Sequence, residues 1–171
     1  MGAPAAVIWH VSHRYDLRAL PLANRHYNRR RPETPQFVPP GRNLVLLTAD
    51  GSALWVSRWP RYAWHAWTGA WTNTLFRREA ACPMPASALI REAVAATCWK
   101  WGAPPVRPHP FVTFVDPGAV RPKRDPGYCY LMAGWERIGT TAGGLAVLGL
   151  PQAAFPIPEA PGDAQLEAAL A

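Results

Sequence analysis

Tyr130 stands five residues ahead of Trp135 in "CYLMAGWERIGTT", a spacing that sets a phenol at the end of a short helix and an indole at the start of the next strand. Asp116 ends the apolar run "HPFVTFVDPG", and His26 and Tyr27 lie in the arginine-rich "RHYNRRR". A phenol and a strand-end carboxylate are the groups that general acid–base work on an amine requires, so Tyr27, Asp116 and Tyr130 are candidate catalytic residues. One imidazole, one carboxylate and two phenols also form an N/O donor set that suits iron, which makes His26, Tyr27, Asp116 and Tyr130 a candidate metal set. Nothing in their spacing compels it. Each residue has a plainer use: Tyr130 as a core aromatic, Asp116 as the cap of the turn that follows it, His26 and Tyr27 as part of a solvated basic segment.

Arg77, Arg78 and Glu79 close a strand-like run, and alternation sends the two arginines to opposite faces. An inward arginine needs a partner, either a carboxylate such as Glu92 or an anionic ligand. Ser87 opens the best helix of the chain. It reads as its N-cap, or as a catalytic or cofactor-contacting hydroxyl. The free N–H groups of Ser87, Ala88 and Leu89 are a candidate seat for an anionic cofactor group.

The charge is concentrated. All 18 Lys and Arg precede residue 151, leaving a body of +10 and a tail of −3. Such a body attracts polyanions, and Arg25, Arg29, Arg30, Arg31, Arg121, Lys123 and Arg124 are candidate phosphate contacts on DNA, though a solvated basic surface has the same composition. Five of the nine tryptophans fall between 55 and 71. Trp64, Trp67 and Trp71 have helical spacing and read as a packing stripe; the rival is a platform, centred on Trp64 and Trp67, on which an extruded base stacks.

The elements that must position these residues are legible in outline. Apolar runs at 43–48 and 53–58 flank Asp50-Gly51 and predict a β-hairpin. Residues 5–11 and 71–79 read as strands. Residues 86–101 read as a helix, with Leu89, Ile90, Ala93, Val94, Thr97, Cys98 and Trp101 on one stripe and Gly102 and Pro104 beyond it. A strand to Asp116, a short helix near 127–133 and strands near 135–138 and 144–149 complete residues 1–150 as one domain. Residues 151–171 read as a Pro-rich acidic tail ending in a short helix. The class is mixed α+β.

The 171 residues contain no apolar run long enough to span a bilayer, and no convincing signal peptide opens the chain. Cys82, Cys98 and Cys129, without a CxxC, point to a reducing cytoplasm rather than a disulfide framework. Neither a dinucleotide fingerprint nor a P-loop occurs.

The order strand, tyrosine-bearing helix, "GW", strand resembles the second half of the GNAT N-acetyltransferase fold, a mixed, mostly antiparallel sheet flanked by helices. That resemblance implies that Tyr130 protonates the leaving thiolate of acetyl-CoA. The glycine-rich pyrophosphate loop of that superfamily has no counterpart in "RREAACPMPASALIREA", where Pro83 and Pro85 also lack N–H groups. Taken together, "RHYNRRR", "LFRRE", "SALIREA", "FVDPG" and "CYLMAGWERIGTT" resemble the phage Mom-type DNA modification proteins, a divergent GNAT-like group, over about 25–145. This resemblance implies an enzyme that transfers a carbamoylmethyl-type group to the exocyclic amine of adenine in double-stranded DNA, protecting it from restriction. It implies that one of the two strand-end arginines, Arg77 in preference to Arg78, is the family arginine, and it implies bound iron and a small-molecule donor that is acetyl-CoA or another acyl or amino-acid compound. An acetyl-CoA-dependent acetyltransferase for a small amine and a non-enzymatic basic DNA-binding accessory protein remain alternatives.

Overall fold

The computed structural model describes residues 9–29, 31–32, 34–60, 66–119 and 125–162. Among these residues a seven-stranded sheet in the order β1-β2-β3-β4-β5-β7-β6 carries three α-helices. The strands are β1 (Trp9–Val11), β2 (Asn43–Thr48), β3 (Ala53–Arg58), β4 (Trp71–Arg78), β5 (Phe111–Val115), β6 (Glu136–Thr140) and β7 (Ala146–Leu150). The helices are α1 (Leu20–Asn24), α2 (Ala86–Trp101) and α3 (Tyr128–Met132). All neighbouring strands run antiparallel except β4 and β5, which are parallel and joined through α2. The mixed α+β class is therefore observed.

The predicted hairpin forms with the expected bounds, but its turn is built differently. Only Gly51 takes a positive φ, +70°. The rest of the loop is held by side chains: Thr48 Oγ1 accepts from the N–H groups of Ser52 and Ala53, and Asp50 Oδ1 accepts from Ser52 N–H as well. The helix predicted at 86–101 is α2. Its N-cap is Pro85, in an extended conformation with no side-chain cap, so Ser87 lies inside the first turn rather than capping it. Pro85 already has the φ a helix entrance needs, so the helix starts at Ala86, ahead of Ser87. Gly102, at φ +81°, ends the helix.

Strand alternation gives the sheet two apolar faces. One packs Leu44, Leu46, Trp55, Trp71, Phe111, Leu148 and Leu150 against Leu89, Ile90, Ala93 and Val94 of α2. The other packs Val45, Leu47, Leu54, Val56 and Leu75 against Leu22 and Ala23 of α1 and against Phe37 and Val38. Trp71 is the first residue of β4 and Trp67 belongs to the turn before it, so the two do not share a helix. Trp67 lies over Phe114 on one face while Trp71 is fully buried on the other. The first four residues of the predicted 5–11 strand, Trp64, and the predicted C-terminal helix beyond residue 162 lie outside the described residues. Residues 151–162 run back across the body, with Phe155 against Trp71 and Glu159 N–H bonded to Ala95 O. No helix among the described residues is long and apolar enough to cross a membrane.

Asp16 anchors the approach to α1. Its carboxylate accepts from the Arg18 guanidinium and backbone and from Ser12 Oγ, and this pairing, above all with Arg18, lowers its pKa to about 2. A carboxyl depressed in the folded state stabilises above its unfolded pKa near 4, and that contribution disappears as pH falls through about 2. Urea denaturation of wild type and Asp16→Asn is expected to show a stability deficit in the variant of about 1 kcal/mol at pH 7, since the exposed Arg18 is screened by solvent, shrinking toward zero near pH 2. An equal deficit at both pH values would contradict the carboxylate's role.

Candidate functional site

β4 stays paired with β5 only through Trp71–Phe111, Thr72–Val112 and Asn73–Thr113. Beyond Asn73 the two strands part, β4 running on to Arg78 and β5 to Val115. The divergence has a local cause. On the β3 side Val56 faces Leu75 but Ser57 faces Asn73, so Thr74 is an extra residue that bends β4 at the fork. The Asn73 amide closes the gap in hydrogen bonding, its Nδ2 donating to Val56 O (3.0 Å) and Leu75 O (2.9 Å). Its Oδ1 accepts from the Tyr130 hydroxyl, and Thr113 Oγ1 lies 3.0 Å from Asn73 O and 3.3 Å from Oδ1.

The fork opens into a cleft of about 560 Å³, within the usual range for a small-ligand site. Residues 25–28, which follow α1, wall one side; Gly127–Tyr130 of α3 wall the other; Arg77, Arg78 and Ala86 line the end toward α2. Gly127 starts α3 at φ +74°, and a Cβ there would come within 2.8 Å of Leu148, so the helix entrance requires glycine. Tyr130 is held between Trp55, Phe76 and Trp135, with ring centroids 6.4, 6.2 and 5.2 Å away. Burial pushes its phenol well above the usual range, with the Cys129 thiol adding to the effect.

His26 stacks on Tyr27, with centroids 4.4 Å apart. Its Nδ1 accepts from Asn28 N–H (3.2 Å), which leaves the neutral ring's proton on Nε2. Burial, aided by the nearby Arg77 cation, lowers its pKa to about 4, so the ring is neutral at pH 7. Tyr27 remains half exposed; its hydroxyl oxygen accepts from Asp116 N–H (3.4 Å), and burial raises its pKa. Tyr27 thus keeps its own proton to donate.

The candidates named from sequence therefore divide. Tyr27, Arg77 and Tyr130 meet at the cleft, together with His26. Asp116 does not line it: its backbone N–H reaches the Tyr27 hydroxyl, while its Oδ1 accepts from Gly118 N–H (2.8 Å) and caps the turn at Pro117–Ala119. Ser87, Ala88 and Leu89 do not line the cleft, and Leu89 N–H is already bonded to Pro85 O; Ala86 takes their place on the wall. Neither strand-end arginine pairs with Glu92. Arg77 reaches Arg25 O and Glu79, whereas Arg78 donates to Met84 O (2.6 Å) and Cys82 O (2.8 Å), bracing the glycine-free segment before α2. Arg77 Nε is buried and makes no hydrogen bond; Glu79 Oε1 lies 3.5 Å away.

The iron reading meets a poor donor set. The Tyr130 hydroxyl is committed to Asn73 in a buried, neutral form, and the Asp116 carboxylate is engaged by its own turn. Among the described residues no three His, Cys, Asp or Glu side chains are grouped for a metal. The four residues of the iron reading are thus drawn to separate partners, His26 and Tyr27 to each other, Tyr130 to Asn73 and Asp116 to its own turn.

A second cleft, of about 610 Å³, meets the first at His26, Asn28, Thr74 and Leu75 and is lined by Arg29, Arg31 and Arg58. Arg29 is spent on Asn24, Thr34 and Gln36, and Arg25 is paired with Glu79, so of the proposed phosphate contacts Arg31 is the most open. Arg30, Arg121, Lys123, Arg124 and Trp64 lie outside the described residues. Trp67 packs on Phe114, and a Cβ at Gly139 would come within 3.2 Å of its ring. Asn73 escaped the sequence reading. Its signal was an amide inside "WTNTLF", a run otherwise suited to a strand, where Asn is disfavoured.

No family model matches the chain, and it has no significant match among the curated proteins or the solved structures.

Replacing Asn73 by the similarly sized leucine orphans two carbonyls and the Tyr130 hydroxyl. Urea unfolding is expected to register a loss of about 3–5 kcal/mol, against about 1 kcal/mol for Thr113→Val. A loss under about 1 kcal/mol for Asn73→Leu would show that the bulge does not depend on the amide.

Proposed function

We propose that the protein is a GNAT-like transferase that modifies the exocyclic amino group of adenine in DNA, adding a carbamoylmethyl-type group that shields the DNA from restriction. One observation carries the reading: an arginine-lined cleft opens at the carboxyl ends of a diverging parallel strand pair, where ligands of mixed sheets gather, and phenols face it. The five sequence motifs of the Mom-type resemblance supply the substrate. Their functional residues Tyr27, Arg77 and Tyr130 converge on that cleft, which supports the assignment.

In this reading the phosphates of an extruded nucleotide are met by Arg31 and by the basic wall of the second cleft, and the base enters the fork. Arg77, on the cleft wall and braced by Glu79, faces the anionic part of the donor. The amine lone pair forms the new C–N bond as the donor's leaving group departs. Tyr27, kept neutral by burial and with its hydroxyl oxygen already accepting from Asp116 N–H, gives its proton to that leaving group. The proton shed by the amine restores Tyr27, so the transfer is balanced without an external acid. His26, neutral at pH 7, serves as a stacking wall and Nε2–H donor.

A coenzyme A thioester as donor is a second reading, favoured by the placement of Ala86, at the amino end of α2, on the cleft wall beside Arg78. Saturable binding of acetyl-CoA in a calorimetric titration supports it, and its absence removes it.

Nucleosides from DNA co-expressed with the protein are expected to include a deoxyadenosine heavier by the transferred group. Tyr27→Phe is expected to lower its yield at least about 100-fold. A digest containing only unmodified nucleosides would overturn the reading.

A further inference from the structure

The hydrogen-bond network at the fork has a fixed direction. An amide can be turned either way round, but Asn73 cannot: two backbone carbonyls, Val56 O and Leu75 O, lie at 3.0 and 2.9 Å from one end of it. Carbonyl oxygens only accept, so that end is the NH2 group and the other end is Oδ1. Oδ1 in turn only accepts, so the Tyr130 hydroxyl beside it must be the donor. The proton of Thr113 is spent in the same direction, 3.0 Å from Asn73 O and 3.3 Å from Oδ1. The Thr113 hydroxyl also reaches the Tyr130 oxygen, which accepts there with one lone pair and keeps the other.

Tyr130 is only 7 % exposed and is wedged among Trp55, Phe76 and Trp135, so the ring cannot swing its hydroxyl to another partner without disturbing the core. It nevertheless lines the cleft. With its proton taken by Asn73, what the hydroxyl has left to offer is a lone pair. We propose that Asn73 makes Tyr130 a hydrogen-bond acceptor in the cleft, so that the site selects a ligand presenting an N–H donor and rejects the analogue presenting an oxygen acceptor at the same place. Resting on the reading of the cleft as an adenine site, the donor is the exocyclic amine itself, and Tyr130 holds it by one N–H while the lone pair of nitrogen stays free to react. Tyr130 is then a specificity-determining contact and Asn73 the residue that positions its proton. The leaving-group proton falls to Tyr27, whose hydroxyl accepts rather than donates in its contact with Asp116.

Adenine and hypoxanthine differ at position 6, an amine in one and a carbonyl oxygen in the other, and N1 changes with it from acceptor to N–H donor, so the part of any preference that belongs to Tyr130 is read from the Tyr130→Phe variant. The full-length protein is titrated with two single-stranded oligonucleotides of one sequence, with deoxyadenosine or deoxyinosine at the centre. Wild type is expected to bind the deoxyadenosine strand about 5- to 150-fold more tightly, the range one such contact gives. Tyr130→Phe, which keeps the ring and its packing, is expected to lose most of that preference. Asn73→Leu, if it folds, releases the Tyr130 proton and is expected to shift the preference toward deoxyinosine. Equal binding of the two strands by wild type, a preference unchanged in Tyr130→Phe, or no binding of either strand would each overturn the proposal. The outcome is separate from that of the modification assay: modified deoxyadenosine without discrimination leaves the enzyme reading intact and removes this one, and discrimination without modification does the reverse.

Discussion

A single buried amide carries two demands that conflict at β4. The strand must remain paired with β3 along its length, yet leave β5 after three pairs, and the extra residue at Thr74 that permits this breaks the ladder. Two backbone carbonyls would be left without partners in a place water does not reach, at a cost of about 1–3 kcal/mol each. Asn73 supplies both missing donors from one side chain. Because the same amide also accepts from Tyr130, the bend in the sheet, the position of α3 and the floor of the cleft are one cooperative unit. Remove the amide and the fork has no reason to hold its shape.

Around that unit the charges are arranged in two ways. Some arginines are structural: Arg78 ties down the carbonyls before α2, Arg29 those of residues 34 and 36, and Arg25 is matched by Glu79, whose carboxyl is held low chiefly by that pairing. Arg77 is itself shared between Arg25 O and Glu79, whereas Arg31 stands exposed on the rim of the second cleft. A cation left short of partners beside a cavity is a standing invitation to an anion. The aromatic residues have the complementary task. Trp55, Phe111 and Trp135 pack as tilted and edge-on pairs beneath the fork, which fixes Tyr130 by shape before any hydrogen bond is made.

What the sequence disclosed followed from how local each signal was. The β2–β3 hairpin and α2 are written in contiguous apolar patterns, and both appear with the predicted bounds. Tyr130 was recognisable from a five-residue spacing, and its burial and its place on the cleft are both observed. Ser87 misled because an N-cap is judged from one residue, while the extended Pro85 before it had already set the helix entrance. Trp67 and Trp71 misled because four-residue spacing is shared by a helix and by a turn running into a strand. Asn73 was invisible for a different reason. A polar residue in a strand reads as a flaw until the bulge it repairs is known, and bulges depend on a partner strand many residues away. The same limit applied to Asp116, whose carboxylate serves its own turn although its backbone reaches Tyr27.

Whether the β4–β5 fork receives a nucleobase, as proposed, is tested by photocrosslinking of the full chain to an oligonucleotide carrying 8-azidoadenine, followed by peptide mapping. The account predicts attachment to the cleft walls, within residues 25–28 or 127–130, suppressed by excess unlabelled strand of the same sequence. Attachment confined to surfaces away from these two segments would contradict it.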